Sequence, residues 1–103
     1  MGLRLRISPQ TLSLLEALLL RPAQWHHGYA LSQHTGIASG TLYPILMRLE
    51  KLHWLETRWE EPGKTGRPPR HLYRLTSGAR VWAREELEQA RARKVWKPAY
   101  SGA

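Results

Sequence analysis

Between Ser39 and Trp59 the spacing of apolar residues changes period, and that change leaves the chain few folds to choose from. The run SGTLYPILMRLEKLHWL, residues 39 to 55, places Leu42, Ile45, Leu46, Leu49 and Leu52 at i, i+3, i+4, i+7 and i+10. That is one stripe on a 3.6-residue helix. Beyond it the period falls to 2: Leu55, Thr57 and Trp59 alternate with Glu56, Arg58 and Glu60, as in a half-buried strand. A second alternating run has His71, Tyr73 and Leu75 on one side and Leu72 and Arg74 on the other. Between them lies EPGKTGRPPR, residues 61 to 70, where Gly63 and Gly66 supply turn conformations. Pro68 and Pro69 hold the return limb extended and withhold ladder bonds. A helix therefore runs directly into an antiparallel hairpin whose tip carries Lys64, Arg67 and Arg70, with Thr65 and Gly66 between them.

The other side of that helix carries Tyr43, Met47, Arg48 and Lys51, with Pro44 beside them. Ser39 and Thr41 are capping residue types, and Gly40 between them lets the backbone approach a partner closely. Pro44 is tolerated only near a helix start. A packed inner face with hydroxyl, aromatic and cationic groups outside is the layout of a helix that reads a DNA major groove. A core helix with a solvated face has the same layout, so this segment alone leaves both open.

The flanks decide between them. Upstream, Ser8 is placed to cap a helix with Pro9 in its first position, running through Leu12, Leu15, Leu18 and Leu19 until Arg21-Pro22. Arg4 and Arg6 before LSLLEALLL imitate a signal peptide, but Glu16 interrupts the apolar run and it is too short to span a bilayer. No membrane partner is expected. Gly28 to Thr35 reads as a short helix closed by Gly36, with Pro22 to His27 as the connecting loop. A short helix, a Gly turn and a longer helix with a polar outer face make a helix-turn-helix. The hairpin after it becomes a wing, its basic tip directed at phosphates or a narrow minor groove. The plainer alternative is a basic hairpin that only aids solubility.

Thr76 is placed to cap a last helix from Ser77 to Lys97, ended by Pro98. Its apolar stripe is thin: Ala79, Trp82, Ala83, Leu87 and Ala90. Such a helix needs a partner, either itself or the first helix of a second subunit, so a homodimer is expected. The predicted class is mainly α with a small β-hairpin. A winged helix-turn-helix covers residues 1–76 with the wing at 61–70, a dimerisation helix 77–97, and a tail 98–103.

Composition narrows the partners. Sixteen Lys and Arg stand against eight acidic residues, all Glu, for a net charge of +8 over 103 residues. A polyanion is implied, nucleic acid before an acidic membrane surface. The chain has no Cys and no Asp, no phosphate-binding Gly loop and no Ser-His pair beside an orienting group. Enzymatic chemistry is therefore not expected. The five His residues have no metal-site spacing, and no cofactor is implied. Absence of Cys fits a cytoplasmic protein. A winged helix that contacts protein or RNA remains the alternative to one that binds an operator.

Residues 28 to 80 resemble the PadR family of bacterial transcriptional regulators. The matching residues are Gly28-Tyr29, Thr35-Gly36, the run from Gly40 to Pro44 with Leu46, Arg48, Leu49 and Glu50, then Trp59, Gly66-Arg67-Pro68, Tyr73, and Leu75-Thr76 with Gly78. The resemblance implies a dimeric winged-helix repressor on an inverted-repeat operator in double-stranded DNA, released in many members by a small-molecule effector. It is to the short members with one C-terminal helix. Two departures fall on the hairpin: Trp54 where a turn Gly or small residue is common, and Pro69-Arg70-His71-Leu72 where an Arg-Tyr-Tyr run is frequent.

On this basis Ser39, Gly40 and Thr41 are expected on phosphate at the positive end of the helix. Tyr43 and Pro44 are expected to face the groove, and Arg48 and Lys51 to reach the backbone or a guanine edge. Arg67 is assigned to the minor groove and Lys64 and Arg70 to phosphates, with Thr65 and Gly66 on the same tip; Tyr73 is assigned to the core. Trp25, Trp82 and Trp96 are candidates to line an aromatic cavity at the dimer interface, for a small hydrophobic or aromatic ligand. Packing of that interface is their simpler role.

Overall fold

The protein is described by a computed structural model over residues 7–61, 66 and 68–99. The elements follow in the order α1 (Pro9–Leu20), β1 (His26–His27), α2 (Gly28–Thr35), α3 (Ser39–Lys51), β2 (Leu55–Trp59), β3 (His71–Leu75) and α4 (Ser77–Ala92). The helix-turn-helix and hairpin expected from the periodicity are present, and so is one strand more. His26 and His27, read from the sequence as loop, pair antiparallel with Tyr73 and Leu72, so the sheet order is β1-β3-β2. A two-residue strand has too few positions for a period, and only the neighbouring edge of β3 makes it one.

The core is built from the leucine stripes. Leu14, Leu15 and Leu18 of α1, Leu31 of α2, Leu42, Leu46 and Leu49 of α3, and Leu75 of β3 are almost completely enclosed. Tyr73 is buried among them, as assigned. Leu52, expected on the α3 stripe, is exposed because the helix has already ended at Lys51.

The helix starts divide by chemistry. Ser8 caps α1 through a bond from Thr11 N at 3.1 Å, and Thr76 caps α4 through one from Ala79 N at 3.3 Å. At α3 the cap position belongs to Ala38, not to Ser39 or Thr41, and no side chain caps it. Ser39, Gly40 and Thr41 instead form the first turn, and Pro44 lies inside the helix. Without its N–H, Pro44 cannot close the usual bond to the Gly40 carbonyl.

The helix ends share a device. At α3, Trp54 N donates to Leu49 O and His53 N to Glu50 O, a Schellman closure. His53 occupies its left-handed position, with φ 63°. The left-handed residue of this turn is therefore His53, with Trp54 next to it closing the bond to Leu49. At α4, Val95 N donates to Ala90 O and Lys94 N to Arg91 O, with Lys94 at φ 60°. This closure stops α4 at Ala92, five residues before the expected end at Lys97. The segment beyond folds back on α1: Trp96 Nε1 donates to Ser13 Oγ at 3.2 Å and Ala99 N to Glu16 Oε1 at 3.2 Å. The expected tail is thus docked at least as far as Ala99. Residues 100–103 lie outside the described residues.

Candidate nucleic-acid interface

The turn between α2 and α3 sets the angle at which α3 is presented. Gly36 takes φ 76° and its N–H returns to Ser32 O at 2.9 Å, while Ser32 Oγ donates to Ile37 O at 2.6 Å. Thr35 Oγ1 donates to Leu31 O and accepts from Ile37 N. These bonds satisfy the backbone of a turn too short to do so itself.

Leu42, Leu46 and Leu49 point α3 inwards, so the centre of its outer face falls at Gly40, Pro44, Met47 and Lys51, spaced i, i+4, i+7 and i+11. All four are exposed. A Cβ added at Gly40 meets nothing, which leaves the backbone itself open to a close approach. The uncapped first turn, with Ser39 and Thr41 also exposed, places free donor character at the positive end of the helix.

Two predicted contacts lie on the flanks of this face. Tyr43 leans over the start of α2, its hydroxyl end against Gly28; a Cβ added there would also stand 2.7 Å from the Tyr43 ring. Tyr43 is nevertheless 39% exposed, so one edge remains available. Its nearness and that of Glu50, after burial as the larger cause, push the Tyr73 phenol above its usual pKa. Arg48 lies on the opposite flank, lining an apolar hollow with Ile7, Thr11, Ile45, Leu49, Leu52 and Trp54.

The hairpin stands beside α3. Beyond the last strand pair, Glu60 N donates to Arg70 O at 2.7 Å, carrying the ladder towards the tip. His27 Nε2 donates to Glu60 Oε2 at 2.9 Å, and Arg70 Nε stands 3.6 Å from Glu60 Oε1. Arg70 is therefore engaged at the wing base, which ties the hairpin to the start of α2. Gly66, at φ 74°, is exposed. Lys64, Thr65 and Arg67 lie outside the described residues.

Residues 18–89, well over half of the chain, match the model of the Transcriptional regulator PadR-like family. The chain belongs to that family. Its members are DNA-binding regulators and not enzymes, so the outer face of α3 and the hairpin belong to a DNA-binding PadR-like regulator. Among solved structures, smu.1704 from Streptococcus mutans UA159 is similar at 28% identity and a TM-score of 0.67, covering 90% of this chain and 88% of that one. A PadR family transcriptional regulator from Eggerthella lenta DSM 2243 is similar at 27% identity and a TM-score of 0.66, covering 84% and 79%. No curated protein matches the chain.

Within this PadR-like fold the three candidate ligand tryptophans have different neighbours. Trp25 meets two guanidinium groups, Arg58 at 4.7 Å and Arg74 at 4.2 Å from its ring centre. Trp82 packs on Trp54 with ring centres 4.0 Å apart, and Trp96 docks on α1 through Ser13. One protomer does not bring them together. Met47, 58% exposed at the centre of the α3 face, is a residue that a search for polar and cationic contacts passes over. The i+7 offset from Gly40 is the signal that finds it. Among the described residues no group of His, Cys, Asp or Glu is arranged to hold a metal ion, and no helix is long and apolar enough to cross a membrane.

Proposed function

We propose that this PadR-like regulator acts as a homodimeric repressor of an inverted-repeat operator. The observation that carries the proposal is the open outer face of α3, with Gly40, Pro44, Met47 and Lys51 exposed in a row opposite the leucine core. α3 enters a major groove with this face. Ser39, Gly40 and Thr41 hold phosphate at its start, and Tyr43 and Arg48 contact the backbone from the two flanks. The basic tip, with Lys64, Thr65, Gly66 and Arg67, follows the adjoining backbone and minor groove, while Arg70 stays at the wing base with Glu60.

Dimerisation through α4 is supported by its alanine-lined packing, which leaves Val81 exposed on the helix, as is Val95 just beyond its end. Two copies then present their recognition helices about 34 Å apart, one turn of duplex. A small hydrophobic or aromatic effector is the partner that releases DNA. The apolar hollow supports it, since a ligand there would touch Thr11 of α1 together with Ile45 and Arg48 of α3, beside the Trp54 that packs on Trp82.

Selection from a randomised duplex pool at near-physiological salt tests the operator. Enrichment of an inverted repeat with half-sites one turn apart is the expected result, and binding blind to sequence would overturn it. The joint substitution of Lys64→Ala and Arg67→Ala should weaken binding to every duplex and flatten the salt dependence, by about 0.9 per lost phosphate contact in log–log slope.

A further inference from the structure

Trp59 is the last residue of β2 and is 66% exposed. Its register partner His71 stacks on it, with ring centres 4.6 Å apart and planes 10° from parallel. His71 in turn lies 4.8 Å from the ring of Tyr73, whose hydroxyl is 3.3 Å from His71 Nδ1. Directly paired residues share a sheet face, so Leu55 with Leu75, Thr57 with Tyr73, and Trp59 with His71 form one side of the hairpin. Leu55, Tyr73 and Leu75 are buried in the core, which identifies that side as the one turned towards the helices. An aromatic ladder thus leaves the core at Tyr73, close to Tyr43 of α3, and ends in an open indole on the limb of the wing.

Protein interiors account for Tyr73 but not for Trp59. An indole held flat by a stacked neighbour has one face covered and one free. Insertion between base pairs needs both faces of a ring, and His71 occupies one of them. Packing on a sugar needs only the free face. We propose that Trp59, held by His71, is a DNA-contact residue that lays its indole on a deoxyribose of the backbone beside the wing. The inference rests on the proposed interface and deepens it: the wing grips duplex DNA by an apolar contact at its base as well as by cations at its tip. His71 is a positioning residue. The contact neutralises no phosphate, so it adds affinity without adding to the salt dependence.

The test compares wild type, Trp59→Ala, Trp59→Phe and His71→Ala on the duplex enriched from the randomised pool, or on a mixed-sequence duplex if none is enriched. Hydroxyl-radical footprinting reads protection of individual sugars, and titration at several salt concentrations reads affinity and slope. Trp59→Ala should bind roughly tenfold more weakly, as for the loss of one aromatic contact, with an unchanged salt slope. Protection should be lost at sugars flanking the α3 footprint. Trp59→Phe should retain most of the affinity, and His71→Ala should fall between them. Circular dichroism and a thermal melt confirm that each variant is folded. Trp59→Ala binding as tightly as wild type with the same footprint would overturn the inference, as would a salt slope that falls as it does on deletion of a cation. A change of mass in light scattering without DNA would also overturn it and assign Trp59 to contact between copies. Wild-type protein that protects no duplex would instead remove the interface on which the inference rests.

Discussion

α3 and α4 are both amphipathic helices, but they are held in different ways. α3 drives Leu42, Leu46 and Leu49 into the core, each almost wholly enclosed. α4 encloses only Ala79, Ala83 and Ala90, with Trp82 half-buried against Trp54. Burial of a leucine side chain stabilises by about 1.5–3 kcal/mol, and an alanine methyl contributes far less. The helix assigned to DNA is thus fixed by its own domain, so its presented face is pre-organised. The C-terminal helix is fixed by close approach of small residues to α1 and leaves apolar groups open. That is the division expected when one surface must stay rigid for recognition and another is completed by a second subunit.

The largest expected effect is on the α3 side. Leu46→Ala should lower unfolding stability by about 2–5 kcal/mol in a denaturant titration, through lost burial and the cavity left behind. A loss well below this would mean that α3 is held no better than α4. On the α4 side, Val81→Glu should keep the protomer within about 0.5 kcal/mol of its stability, as for an exposed site. It should weaken self-association by at least about tenfold, as for an interface residue made charged. An unchanged mass by light scattering would remove this face of α4 from the dimer.

The two helix ends sharpen the comparison further. His53 and Lys94 both carry left-handed backbone without the freedom of glycine. His53→Gly and Lys94→Gly should each raise the thermal midpoint, with gains of about 0.5–1 kcal/mol. Gain at Lys94 alone would indicate that the His53 side chain compensates its strain by contacts.

The smallest effect is electrostatic and belongs to the helix-turn-helix half. Burial lowers the pKa of His26 below 6.5, and the nearby His34 and Arg21 add to this, against a bond from His26 Nε2 to Arg21 O at 3.2 Å. The unfolded chain then binds the proton more readily than the folded one. The contribution of neutral His26 is complete above pH 6.5 and is lost as the pH falls towards its lower folded value. Denaturant midpoints measured at pH 7.5 and 5.5 should therefore differ less in His26→Gln than in wild type.

Much of this was legible in the chain. Ser8-Pro9, Thr76 and Gly36 marked helix boundaries because their effect is local: a hydroxyl three residues from an N–H, or a missing Cβ. Other boundaries depended on distant partners. Nothing near Ala92 stops a helix by itself, and Pro98 was the first visible signal. The stop at Lys94 accompanies docking of Trp96 and Ala99 on α1, more than eighty residues away in sequence. Tyr43 was visible as an outward residue, but its lean onto Gly28 depends on the packing of α2 against α3.

Local periodicity, caps and turn residues by themselves determined the helix-turn-helix, the hairpin and the face of α3 that is free to meet DNA, because each is specified within a few residues. Net charge added the polyanion. Only the tertiary structure decided that His26-His27 form a third strand, that Glu60 draws both Arg70 and His27 to it, that the tryptophans part company, and that Trp59 ends an aromatic ladder rooted in the core. Each of these is a contact between segments far apart in the chain, and its geometry exists only once both are packed on the same core.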